Sequence, residues 1–121
     1  MKVYLAHPKL SQEFGARVTD FLEREGIQVF NPFRQVDQTK HIYNIMYDEL
    51  DIISKIDALV GLITPDNTRA VHMEAFFAWE KGVPVILLWT ALDNHYSWYE
   101  AFAKITFDTN EMLQALKDLS K

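Results

Sequence analysis

Two stretches constrain this chain more than any others: "ALVGLI" at residues 58–63 and "VPVILLW" at residues 83–89. Both are apolar throughout, without the alternation of a strand that keeps one face in water, so as strands they are buried on both faces. Such strands need helices above and below them, and the sequence supplies these. Phe14, Val18, Phe21 and Leu22 recur at helical spacing before Gly26, and residues 42–56 and 69–81 carry further helical patterns, the second closed by Gly82. Shorter strands are expected at residues 3–6, stopped by His7-Pro8, and at residues 27–30 and 105–107. A helix is expected near residues 97–103, and a last one after Asp108, whose N-cap pattern with Glu111 precedes the inner face Met112, Leu113, Leu116 and Leu119. The alternation predicts a single α/β domain over residues 1–121: a doubly wound, five-stranded parallel sheet with helices on both faces.

Composition narrows the chemistry. The 121 residues include no cysteine, which excludes disulfides, thiolate nucleophiles and sulfur-ligated zinc. A net charge of -5 argues against a nucleic-acid polymer as ligand, because affinity for one comes largely from Lys and Arg meeting phosphates. No apolar run approaches the length of a membrane span, and residues 1–8 contain polar breaks unlike a cleavable signal peptide. The expectation is a cytoplasmic protein that binds a small molecule.

In doubly wound sheets ligands bind at the carboxyl ends of the strands, near the point where strand order reverses. This directs attention to residues 6–8, 31–34, 64–74 and 90–97. Two acids stand out. Glu74 falls early in its helix, on the side of Val71, Phe77 and Ala78, where the partial positive charge of a helix N-terminus is expected to keep a nucleophilic carboxylate ionised. In the preceding helix His41, Asn44, Asp48, Asp51 and Lys55 form a polar face, and Ile42, Ile45, Met46, Ile53 and Ile56 an apolar one. Glu49 is the one acid on the apolar side, and burial there raises a carboxyl pKa, as a proton donor requires. The competing reading makes Glu74 a solvated helix-start charge and Glu49 a boundary residue paired with an arginine. Taken together, the two carboxyls suit cleavage of a glycosidic bond, and the small domain suits a nucleoside or nucleotide.

The segments "VYLAHP", "YDELDIISKIDALVGLITPD" and "HMEAFFAWEKGVPVILL" resemble the nucleoside 2-deoxyribosyltransferase family, which includes 2'-deoxynucleoside 5'-phosphate N-hydrolases. The likeness covers about the first three quarters of the chain and is strongest over residues 47–88. It implies a flavodoxin-like fold and a catalytic set in which the Glu of the Met-Glu pair, here Glu74, takes the deoxyribosyl group. The acid that assists at the nucleobase falls on Glu49, eight positions before Asp57, and the aromatic residue of the first strand on Tyr4. It implies no metal or organic cofactor, and a homodimer or larger homo-oligomer. The family's glycines before the nucleophile are replaced here by Asn67-Thr68-Arg69-Ala70-Val71-His72, the glycine of the first loop is His7, and Glu49 stands in place of the commoner Asp.

Side chains on the expected site loops are candidates to replace what the lost glycines would contact. Arg34, Arg69 and His72 are basic groups able to meet a phosphate, His7 and Pro32 follow strands one and two, and Asp66 and Asn67 are placed to hold a sugar or cap a helix. Asn94 and Ser97, with Tyr96 and Trp98, follow the fourth strand where the family's loop reaches a neighbouring subunit's site. Other chemistries fit less well. "HME" lacks the cysteine motif of a zinc deaminase, the four histidines have no metal-ligand spacing, and no Gly-x-Gly-x-x-Gly follows a strand. A phosphoacceptor receiver would need acids after the first strand and at the end of the third, where this chain has Ala6-His7-Pro8 and Ile63-Thr64-Pro65. The rival of a different class is a catalytically inactive nucleotide-binding or sensing module of the same fold.

Overall fold

A computed structural model describes residues 1–93 and 96–120. Five parallel strands form one sheet: β1 (Lys2–Ala6), β2 (Gln28–Phe30), β3 (Ala58–Ile63), β4 (Val85–Trp89) and β5 (Lys104–Thr106), in spatial order β2-β1-β3-β4-β5. Helices α1 (Gln12–Arg24), α2 (Pro32–Gln35), α3 (Ile42–Ile53), α4 (Arg69–Glu80) and α5 (Thr109–Leu119) connect or follow them. Strand order reverses between β1 and β3, which pair from Val3 opposite Ala58 to Ala6 opposite Gly61. A crevice therefore opens beyond Ala6 and Ile63.

The period-2 geometry of the strands sorts side chains between two cores. Val3, Leu5, Val60, Leu62, Ile86 and Leu88 pack with Val18 and Leu22 of α1 and with Met112 and Leu116 of α5. Tyr4, Ala6, Leu59, Ile63, Leu87 and Trp89 face the opposite layer, with Ile53 of α3 and Val71, Ala75 and Ala78 of α4. Tyr4 thus points toward the two helices that carry Glu49 and Glu74. Helices α1 and α4 are both followed by a glycine of positive φ, Gly26 at 82° and Gly82 at 79°, a conformation that reverses the chain into the next strand without a Cβ penalty.

Several boundaries differ from expectation for identifiable reasons. The segment after β2 is not wholly loop: Asn31 caps α2, its Oδ1 accepting from the Phe33 N–H at 3.0 Å, with Pro32 in the first turn. Helix α3 ends at Ile53, where the Ser54 hydroxyl donates to the Asp51 carbonyl at 2.6 Å, and Ile56 enters the core from the connection to β3. The helix expected near residues 97–103 is one 3-10 turn, Tyr99–Ala101. Ring contacts of Tyr99 and Phe102 with Trp89, His72 and Trp79 bind that short segment to its neighbours, before β5 begins at Lys104. Asp108 caps α5 as expected, accepting from the Glu111 N–H at 2.8 Å. No helix is long and apolar enough to cross a membrane, among the described residues.

Candidate active site

Tyr4 is fully buried in the middle of β1, and its hydroxyl donates a hydrogen bond to Glu74 Oε2 on α4. Glu49 of α3 interacts with both Tyr4 and Glu74, and the Gln38 amide with Glu49. Residues far apart in sequence meet here because β1 sends Tyr4 into the α3–α4 layer. Above them lies a hollow of about 620 Å³, walled by Phe33 of α2, Ile42 and Ile45 of α3, Met73 of α4, and the segment His7–Leu10 that leaves β1. Its carboxyls lie at the switch point of the sheet.

Burial dominates the electrostatics of the cluster. Loss of solvent pushes the Glu74 carboxyl up to about 8; the Tyr4 hydrogen bond works against that shift, and the neighbouring Glu49 adds to it. Burial also raises Glu49, opposed by its hydrogen bonds to Gln38, Tyr4 and Glu74. The Tyr4 phenol is held far above its ordinary range, first by burial and then by the two carboxyls, so it remains a donor across the physiological range. This corrects one expectation. Glu74 is the sixth residue of α4, beyond the reach of the helix-terminal charge, and near neutral pH the unliganded pair keeps a proton. Such a pair holds both an acid and a base.

His7, Pro32, Asn67 and Arg69 line the same hollow. The His7 ring is buried, with Nδ1 donating to the Pro8 carbonyl at 2.9 Å, Nε2 3.2 Å from Asn31 Oδ1, and the ring tilted against Phe33 at 4.6 Å. Gly15 makes room for it: a Cβ there would lie 2.5 Å from the imidazole. Asn67 accepts from the Arg69 N–H at 3.1 Å and so shapes the entry to α4, whose N-cap residue Thr68 makes no side-chain cap of its own.

Other expected residues are placed elsewhere. Arg34 points back to α1 and pairs with Asp20 at 3.6 Å. His72 lies on another side of α4 from Glu74, stacked on Tyr99 at 4.8 Å and 2.8 Å from the Thr68 hydroxyl, and burial lowers its pKa, which disfavours a cation. Asp66 accepts from Ser11 at 2.7 Å and, with His72, borders a separate hollow of about 320 Å³. Ser97 is exposed, outside the lining of the main hollow, and Asn94 lies outside the described residues. Ile42, assigned by spacing to the apolar core face, is 66% exposed and forms the hollow's rim. Sequence reasoning overlooked Gln38, in an irregular segment, and Lys9, in the single 3-10 turn Lys9–Ser11, both too short of regular structure for periodicity to mark a residue's direction. Among the described residues, no group of three or more His, Asp or Glu side chains is arranged to hold a metal ion.

No family model matches the sequence, and no curated protein matches it. Solved structures do. A 2-deoxyribosyltransferase from the psychrotolerant bacterium Bacillus psychrosaccharolyticus is similar over 93% of this chain and 90% of its own, with a TM-score of 0.79 and 19% identity. The CMP N-glycosidase BcmB of Clostridium botulinum is similar over 97% and 98%, with a TM-score of 0.66 and 20% identity. The SEFIR domain of IL-17 receptor B is also similar, at a TM-score of 0.63 and 13% identity over 99% and 95%, so this architecture serves in a receptor as well. Fold alone does not decide between such roles. In strand order and in these likenesses, the chain has the nucleoside 2-deoxyribosyltransferase-like fold.

Proposed function

We propose that this protein cleaves or transfers the N-glycosidic bond of a (2'-deoxy)nucleoside or nucleoside 5'-monophosphate, with Glu74 as nucleophile. One observation carries the reading: two interacting glutamates line the hollow at the switch point, and a fully buried tyrosine hydroxyl behind them donates to one of the pair, Glu74. As Glu74 attacks C1', an Oε–C1' bond forms and the C1'–N bond breaks. The electron pair leaves with the base, which takes the proton stored on the carboxyl pair by way of Glu49. Tyr4 donates to Glu74 throughout and steadies its negative charge. Water or a second base then attacks C1', the ester to Glu74 breaks, and the acceptor's proton returns to the pair. Phe33, Ile45 and Met73 offer an apolar wall for the base.

An exposed apolar face supports assembly into a homodimer or larger homo-oligomer. Tyr43 and Tyr47 of α3 and Met73, Phe76 and Trp79 of α4 are all about half or more exposed. Monomers rarely leave so much contiguous apolar surface in water.

The test is base release measured by chromatography, with 2'-deoxynucleosides and their 5'-monophosphates, with and without an acceptor base. Release that disappears in Glu74→Ala supports the chemistry, and dependence on the acceptor separates transferase from hydrolase. The second reading, a nucleotide-sensing module without turnover, is favoured by the replacement of glycines before Glu74 with Arg69 and its neighbours. Binding without release from any substrate, unaffected by Glu74→Gln, would establish it.

A further inference from the structure

The proposed chemistry leaves unused one buried titratable ring on the wall of the hollow, His7. Both of its nitrogens face oxygens that can only accept. The Pro8 carbonyl, 2.9 Å from Nδ1, has no hydrogen to give and also accepts from the Ser11 N–H at 3.0 Å. The Asn31 atom 3.2 Å from Nε2 is fixed as oxygen, because it also accepts from the Phe33 N–H at 3.0 Å. The other end of that amide agrees: Thr19 Oγ1 gives its own hydrogen to the Gly15 carbonyl at 2.8 Å, so it accepts from Asn31 Nδ2 at 3.3 Å. A neutral imidazole has one hydrogen for these two acceptors, and the imidazolium has one for each.

We infer that this arrangement belongs to the doubly protonated ring, and that His7 is a positioning residue for the wall of the hollow. It acts through Asn31. Helix α2 is a single turn, too short to persist on its own backbone bonds, and Asn31 Oδ1 is its cap. Phe33 in that turn rests on the His7 ring at 4.6 Å and, with Pro32, lines the hollow. When Nε2 releases its hydrogen to solvent, its lone pair faces the Asn31 oxygen. Turning the amide over relieves that contact but takes the oxygen away from the Phe33 N–H, so the turn loses its cap. The charge of one ring and the position of the Phe33 wall are thereby linked.

The groups that touch the ring, Pro8, Gly15, Asn31 and Phe33, are all uncharged. On the elements around it, Glu13 pairs with Arg17 at 3.4 Å and Asp20 with Arg34 at 3.6 Å. Lys9 and Arg69 line the hollow together with Glu49 and Glu74, so cations there stand against the glutamate pair. The two acceptors, rather than a net local charge, select the imidazolium. The effect on turnover rests on the proposed glycosidic reading, but the state of the ring does not.

The experiment follows the nitrogen-15 signals of the His7 ring and the hydrogen-exchange protection of the Phe33 amide from pH 5.5 to 9. His7 is expected to carry hydrogen on both nitrogens wherever the Phe33 amide is protected, and a ring with one hydrogen beside a protected amide overturns the inference. In Asn31→Ala, where Nε2 has lost its acceptor, the ring is expected to give up a hydrogen at lower pH than in wild type, and no such displacement overturns it. With the compound from which wild type releases base, Asn31→Ala is expected to raise KM about fivefold while kcat changes little. Asn31→Asp, whose carboxylate can both cap α2 and accept from Nε2, is expected to restore KM. An unchanged KM in Asn31→Ala, or no rescue by Asn31→Asp, overturns the positioning role. If wild type cleaves no compound, the glycosidic reading has failed, and the ring nitrogens and the Phe33 amide, which need no substrate, decide the role of His7 alone.

Discussion

Replacing Glu74 by Gln is expected to make the protein more stable at neutral pH, because the native carboxyl is held protonated against its preference in water. Burial raises it to about 8 in the fold, against about 4.5 in the unfolded chain. Between those two values the unfolded state has released a proton that the native state retains, so wild-type stability falls as pH rises from about 4.5 to about 8 and is level beyond. At pH 7 the gap is about 2.5 units, which at about 1.4 kcal/mol per unit costs the fold about 3 kcal/mol. Glutamine removes the titration and keeps the geometry. Its carbonyl can accept from the Tyr4 hydroxyl and its amide can donate to Glu49, as the protonated acid does. For a domain of this size 3 kcal/mol corresponds to roughly 10 °C in Tm. The assay is thermal denaturation of wild type and Glu74→Gln at pH 5, 7 and 8.5, with the variant's advantage expected to be small at pH 5 and to grow toward pH 8.5. A variant no more stable than wild type at pH 7 and 8.5, or one whose advantage is the same at all three pH values, refutes the buried-proton argument.

The same carboxyl pair sets the rate profile: base release followed from pH 5 to 10 is expected to decline on the alkaline side with an apparent pKa near 8, as the pair loses the proton destined for the base, and a flat alkaline limb contradicts this. Tyr4→Phe keeps the buried ring and removes the donor to Glu74, so kcat/KM is expected to drop about tenfold to a hundredfold, and an unchanged value excludes Tyr4 from positioning the nucleophile. Gly15→Ala places a methyl 2.5 Å from the His7 ring and is expected to lower stability by about 1–3 kcal/mol in urea titrations; an unaltered midpoint means that the ring moves freely. Sedimentation equilibrium is expected to give a dimer or larger species for wild type and a monomer for Phe76→Asp/Trp79→Asp, whereas a wild type monomeric at high micromolar concentration removes the case for assembly through α3 and α4.

The part of this protein legible in its sequence is the part governed by short-range periodicity. Apolar runs without alternation, helical spacing between them, and the glycines after α1 and α4 predict the five-stranded doubly wound sheet, and β3 begins and ends where "ALVGLI" does. The same rules put Glu49 on the wrong face of an otherwise regular helix, which is why it drew attention before any contact was visible, whereas Tyr4 was marked only by the family resemblance. What periodicity does not carry is direction outside regular elements and the medium around a charge. Arg34, Asp66 and His72 lie on or beside the expected loops yet turn toward Asp20, Ser11 and Tyr99, because the docking of α1, α4 and the turn at Tyr99–Ala101 offers closer partners than the hollow does. Gln38, from an irregular segment, and Lys9, from a single 3-10 turn, reach the hollow for the converse reason. The ionisation of Glu74 follows the same division. From the sequence, a helix-start acid appears charged. Only the packed structure, which stacks α3 and α4 over β1, removes water from two carboxyls at once and leaves a proton between them, because desolvation depends on atoms that the sequence places far apart.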